Sequence, residues 1–256
     1  MEANSYYSYR VLAAEVSRLL TTPANVPALS ARAAFAHRRV TLRVDYVTHP
    51  DAARMLLPEP LDVPPIARAS IYVTQYHDMF AEAPVVEMAQ AIEAVSPDGR
   101  TGDFVQAVYT DSVPALIGNR ESFLQPTLFG SVSITHQNAV TDFALRINGV
   151  DVARGSAGYK TEAINHQDAA ELFGRPKFFV KVLGSPLLGE STRPTLFGLE
   201  PANLVVTEAY RAPARISLSG HVMAPLDDLP VVHVESCHMI AANWVMGRAE
   251  VLHRYA

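Results

Sequence analysis

Cysteine is nearly missing from this chain: Cys237 is the single one in 256 residues. No intrachain disulfide can form, so nothing in the sequence requires an oxidising compartment. Lysine is almost as scarce. Lys160, Lys177 and Lys181 make up the full set, and the remaining basic charge is arginine. Amine chemistry therefore has few candidates. Charged residues are only 18 % of the chain, with a net charge of −5 and a pI near 6.0. That balance lacks the basic surplus of a nucleic-acid binder. No run of about 18 apolar residues is present to span a bilayer. The opening Met1-Glu2-Ala3-Asn4-Ser5-Tyr6-Tyr7 carries an acid and no apolar stretch, unlike a secretory signal. We therefore expect a cytoplasmic protein with no nucleic-acid or membrane partner. Gly-rich phosphate loops, Cys-x-x-Cys, His-Glu-x-x-His and Gly-x-Ser-x-Gly are absent too, so no cofactor and no metal is expected.

What is abundant is apolar: 49 % of residues are hydrophobic, enough for a sizeable core in one domain spanning 1–256. Leu12, Val16, Leu19 and Leu20 fit a short amphipathic helix over 9–20, within an N-terminal extension of 1–25. Val40, Leu42, Val44 and Tyr46 alternate with Thr41, Arg43 and Asp45, the period of a half-buried strand. A short helix that starts at His49-Pro50-Asp51 and runs through Leu57 stops at Pro58-Glu59-Pro60. Further strands are predicted at about 67–76, 103–110, 131–136, 141–147, 150–158, 177–184, 203–210, 214–222 and 231–239. A second helix is predicted over Gln167–Phe173. Asn148-Gly149 suits the tight turn of a hairpin. The fold class is mainly β: curved antiparallel sheets, closed or strongly bent, with few helices.

Residue chemistry alone leaves several candidates. His233, Glu235 and His238 resemble a metal triad, but alternation sends His238 to the opposite strand face. His77-Asp78 are adjacent and cannot share a strand face, which favours a structural role. Glu87 and Glu93 lie in an apolar stretch where a carboxylate would be raised in pKa and serve as acid or base; composition by itself favours solvated glutamates. Arg39 and Arg120 border apolar strands and could each hold a carboxylate or pair with a structural acid.

Several segments in order add a family. Met223-Ala224-Pro225-Leu226-Asp227-Asp228-Leu229-Pro230-Val231 followed by Arg248-Ala249-Glu250-Val251 resembles the C-terminal signature of acetoacetate decarboxylases. Thr207-Glu208-Ala209-Tyr210, Gly158-Tyr159-Lys160, Arg175-Pro176, Leu57-Pro58-Glu59-Pro60-Leu61 and His77-Asp78 fall in register, so the match runs from about Arg38 to Tyr255. The resemblance implies curved sheets forming a closed cone or barrel around a buried apolar pocket, a homo-oligomer, and an amine that converts a β-keto acid to an iminium. These enzymes are the standard case of a neighbouring cation lowering a lysine pKa.

Here the lysine segment reads Arg120-Glu121-Ser122-Phe123-Leu124-Gln125-Pro126-Thr127-Leu128-Phe129-Gly130. Arg120-Glu121 and Pro126 match, but the two basic positions are Thr127 and Leu128. Thr127 cannot form a Schiff base, and none of the three lysines is expected to reach the pocket. Arg39 and Glu87 match the family's substrate arginine and active-site glutamate. The expected catalytic set is Glu87, Arg39 and Thr127, with Gln125, Leu124, Leu128, Phe129 and Arg120 around a small-molecule carbonyl substrate. The leading expectation is a lyase or cyclase that dehydrates, cyclises or cleaves a β-dicarbonyl or polyketide-like compound in specialised metabolism, without a Schiff base. The alternatives are a non-catalytic binding protein and an imine-independent β-keto acid decarboxylase.

Overall fold

β1 (Arg39–Val47) shows how the alternating pattern is used. In the computed structural model, which describes residues 38–77, 84–182 and 193–255, Leu42, Val44 and Tyr46 enter the main apolar core. Arg39, Arg43 and Asp45 are buried as well, on the other face. The period of two is present, but the polar face is not the solvent face expected of a half-buried strand. It is the inner wall of a curled sheet. The helix expected over 9–20, the extension over 1–25 and Asp78 lie outside the described residues.

After β1 come α1 (Pro50–Leu56), β2 (Arg68–Tyr76), β3 (Val85–Val95), β4 (Thr101–Thr110) and α2 (Val113–Glu121). A short β5 (Thr127–Phe129) leads to β6 (Ser131–Gln137), β7 (Val140–Ile147), β8 (Val150–Gly158), β9 (Glu162–Ala163) and α3 (His166–Phe173). The chain ends with β10 (Lys177–Lys181), β11 (Thr195–Leu199), β12 (Pro201–Arg211), β13 (Ala214–Leu218), β14 (His233–Met246) and β15 (Glu250–Arg254). The predominance of β and the short helices agree with the sequence pattern. Asn148 and Gly149 make the β7–β8 turn with φ of 51° and 84°, the left-handed values that this dipeptide tolerates.

The large sheet is ordered β15-β11-β10-β4-β3-β2-β1-β14-β12-β9, with β5 added beside β4. A second sheet, β13-β8-β7-β6, places Phe143, Leu145, Ile147 and Val152 in the core shared with the outer face of the large one. β11 and β12 are joined by Glu200 alone, yet six strands separate them in the pairing order. The sheet must therefore curl back on itself. It is not closed into the expected cone or barrel: β11 pairs with β10 and β15, and β12 with β14 and β9. The gap is crossed by the chain itself and not by a hydrogen-bonded ladder.

β10 is laid parallel to β4, with Lys177 opposite Asp103. Gly102 permits that approach, since a Cβ there would meet the Pro176 carbonyl and lie 2.7 Å from the Phe178 ring. Gly102→Ala is expected to lower stability by about 1–3 kcal/mol through overpacking. An unchanged denaturation midpoint in urea would refute this account of the contact.

Candidate active site

The inner wall of the curl encloses a cavity with about 950 Å³ of free volume, part of it open to solvent. Strand registers arrange its wall in rows: Arg39 beside Tyr76, Thr41 beside Thr74 and then Glu87, and Tyr72 beside Ala89. β14 adds Ala242, Trp244 and Met246, and Val105, Val108, Phe173, Phe179 and Leu199 make much of the remainder apolar. A wall of this kind excludes water and strengthens the few polar contacts it contains.

Glu87 is 5 % exposed. Its Oε1 accepts a 2.6 Å hydrogen bond from Asn119 Nδ2 on α2, and the Tyr76 hydroxyl also donates to the carboxylate. Ser112 caps α2, its side chain accepting from the Ala115 N–H, which fixes the turn that presents Asn119. Burial raises the Glu87 carboxyl above its ordinary pKa; Asn119, Tyr76 and the Arg39 charge oppose it without cancelling it. Burial likewise pushes the Tyr76 phenol well up, so it remains a donor at working pH. Arg39 stacks over Trp244 with its guanidinium carbon 3.6 Å from the ring centroid, and lies 5.3 Å from that of Tyr76. The stack holds a cation against an apolar wall.

This geometry makes a test of the Arg39–Glu87 coupling. Arg39→Met removes a charge that favours the ionised carboxylate. The pKa of Glu87 should rise, and any rate limb that follows Glu87 ionisation should move to higher pH. A pH–rate profile with an unmoved limb would show that Arg39 acts elsewhere.

The structure brings Arg39, Glu87 and Gln125 together in the wall. Leu124 adopts a left-handed backbone with φ of 63° and packs on the apolar cluster of Val105 and Val108 just before Gln125 turns into the cavity. Thr127 is 1 % exposed, and its hydroxyl is buried without a hydrogen-bond partner. Its carbonyl accepts from Arg120 at 3.0 Å. Neither Thr127 nor Arg120 belongs to the cavity lining. Leu128 and Phe129 are exposed at 39 % and 63 % and are not brought to the cavity.

The lysine expectation fails at one position, because Lys177 lines the cavity. Its Nζ lies 2.6 Å from Asp103, whose carboxylate also accepts from the Tyr72 hydroxyl at 2.7 Å and from Arg43 at 3.3 and 3.4 Å. Arg43 Nε pairs with Asp45 at 2.7 Å, closing a buried network of two cations and two anions. Burial opposes ionisation of Asp103, but Lys177 and Arg43 outweigh it and hold its pKa below the ordinary range. Burial also lowers the Lys177 pKa; Asp103 opposes this, while Arg43 and Arg175 add to it. Lys177 was hidden in sequence because Pro176 before it and Phe178 and Phe179 after it read as an ordinary strand start. Tyr72, Asn119, Asp103 and Trp244 also escaped notice, although the inner parity of β2 would have pointed to Tyr72 and Tyr76.

Glu235, from the possible metal triad, is held by Arg68 at 2.6 and 3.2 Å. No group of three or more His, Cys, Asp or Glu able to hold a metal occurs among the described residues. No helix among them is long and apolar enough to cross a membrane.

The family model for acetoacetate decarboxylase matches residues 20–256. The acetoacetate decarboxylase of Clostridium acetobutylicum is 32 % identical over 246 residues, covering 94 % of this chain and 98 % of that protein. The acetoacetate decarboxylase of Streptomyces nogalater is also 32 % identical, covering 95 % and 98 %. A solved acetoacetate decarboxylase superposes with a TM-score of 0.87 at 30 % identity, covering 95 % of this chain and 99 % of that one. The enduracididine biosynthesis enzyme MppR, complexed with the condensation product of pyruvate and imidazole 4-carboxaldehyde, shares the fold at 18 % identity and a TM-score of 0.71, covering 86 % and 90 %.

Proposed function

This chain belongs to the acetoacetate decarboxylase family, and on that premise we propose that it is a carbonyl-active lyase or cyclase in which Glu87 moves a proton and position 127 supplies no amine. The observation that carries this reading is a buried carboxyl of raised pKa, coupled to Arg39 and facing an apolar cavity, in a chain with Thr127 where the resemblance expects the reactive lysine. A carboxylate of raised pKa is a stronger base than an exposed one, and remains available as an acid after it takes the proton. Arg39 stabilises the enolate or holds a carboxylate of the substrate. Gln125 adds a polar contact beside them. Thr127 stands behind that wall, and Arg120 holds its backbone in place.

The apolar extent of the wall suits a β-dicarbonyl or polyketide-like substrate larger than acetoacetate, and the reaction class is dehydration, cyclisation or aldol-type cleavage in specialised metabolism. The MppR complex supports carbonyl condensation products as ligands of this fold. Proton transfer is tested without knowing the natural substrate: 2-octanone is incubated with the protein in D2O, and loss of its α-proton signal is followed by NMR. We expect exchange above the buffer rate. Saturable binding with no exchange would make the protein a ligand carrier and not an enzyme.

A further inference from the structure

We propose that Lys177 is a covalent nucleophile of this cavity, supplying from β10 the amine that position 127 lacks. The inference goes beyond the role of Glu87 and stands or falls separately from it. Lys160 is engaged at the surface by Glu208 at 2.5 Å, and Lys181 donates to the Arg120 carbonyl. Neither lines the cavity. Lys177 does, and it is the accessible member of its ion network: its side chain is 18 % exposed, whereas the Asp103 side chain has no exposure. A ligand entering this end of the cavity meets the amine and not the carboxylate.

The environment suits imine formation. A desolvated lysine near other cations releases its proton more readily than one in water, and Arg43 and Arg175 add to the effect of burial. The free amine attacks the carbonyl carbon, the C–O bond breaks, and the oxygen leaves as water. Counted from the resting ammonium, ammonium and ketone give iminium and water with no net proton released. The nitrogen is neutral while it attacks and regains its positive charge when water leaves. Lys177 is therefore a cationic partner of Asp103 in both the resting and the iminium states, and Arg43 stays paired with the carboxylate in between. The Tyr72 ring, 5.5 Å from Nζ, walls the same end, and the next inner residue on β2 is Thr74, opposite Glu87. Lys177 and Glu87 line the same cavity, and in this scheme an extended dicarbonyl anchored at the first reaches the second. The iminium would acidify the C–H bonds from which Glu87 is proposed to take a proton.

The test uses 2,4-nonanedione on the full chain. One carbonyl condenses with an amine, loses water and tautomerises to a conjugated enaminone, seen as near-ultraviolet absorbance and as a mass gain of the dione less one water. Peptide mapping is expected to place the adduct on Lys177, ahead of Lys160 and Lys181. Lys177→Arg keeps the cation beside Asp103 and should abolish the adduct. Glu87→Gln should retain it, which separates this inference from the proton-transfer reading. No adduct in the folded wild-type protein, or an adduct placed first on Lys160 or Lys181, would overturn the proposal. Should the arginine variant fail to fold, the wild-type map decides the matter alone.

Discussion

Glu87→Gln is expected to slow α-proton exchange by a factor of about 100 to 10,000, the usual span for loss of a general acid–base group, while making the fold more stable at neutral pH. The first half follows from removing the proton carrier while keeping its shape. Asn119 can still donate to the amide oxygen, and the new amide can donate to the Tyr76 oxygen, so the wall stays intact. The second half follows from the direction of the Glu87 shift. Its folded pKa is raised above the ordinary glutamate value of 4.5 by burial. The folded state therefore binds the proton more tightly than the unfolded state. Stability falls as pH climbs from the ordinary value through the raised one, and the cost persists above it. Gln carries no such cost. Thermal melts of the two proteins should nearly coincide at acid pH and separate toward neutrality, with the variant higher. A variant that melts lower than wild type at every pH would assign Glu87 a structural role. Retained exchange would remove it from the reaction.

The sequence carried the parity of the fold more clearly than its boundaries. β1 was legible because one face is wholly apolar, yet the same pattern misassigned its second face to solvent. Alternation reports two faces and does not say whether the polar one meets water or other buried charges. β3 was read only as an apolar stretch, since Val85, Val86, Met88, Ala91, Ile92 and Ala94 fall on both parities and its alanines and glutamates are not strand formers. β14 was expected to stop near 239 but continues to Met246, which is why Trp244 was missed as the platform for Arg39. Glu87 and Arg39 were reached through family resemblance; composition alone favoured a solvated glutamate. Lys177 could not be placed from local pattern, because its position in the cavity depends on β10 pairing parallel with β4, a contact between residues more than seventy positions apart.

That contact sets the largest expected effect on stability. Asp103→Asn should cost about 3–5 kcal/mol, the range for breaking a buried ion pair from one side. The side chain of Asp103 is fully buried, and its carboxylate faces Lys177, Arg43 and the Tyr72 hydroxyl. Asn keeps the volume but leaves two buried cations with only Asp45 to balance them. The pH dependence fixes the cause. Because the folded pKa of Asp103 lies below the ordinary aspartate value of 3.8, its contribution is present above that value and is lost as pH falls toward the depressed one. The gap between wild type and variant should therefore narrow in acid. It should narrow again at alkaline pH, where Lys177, already lowered by burial and without its carboxylate partner, gives up its charge. Arg43 does not deprotonate, so the gap should persist in part. Urea titrations across pH measure all three regimes. A loss that stays constant with pH would point to packing, and no loss would show that the ion network contributes nothing to the fold and that Lys177 is held at the cavity by β10 alone.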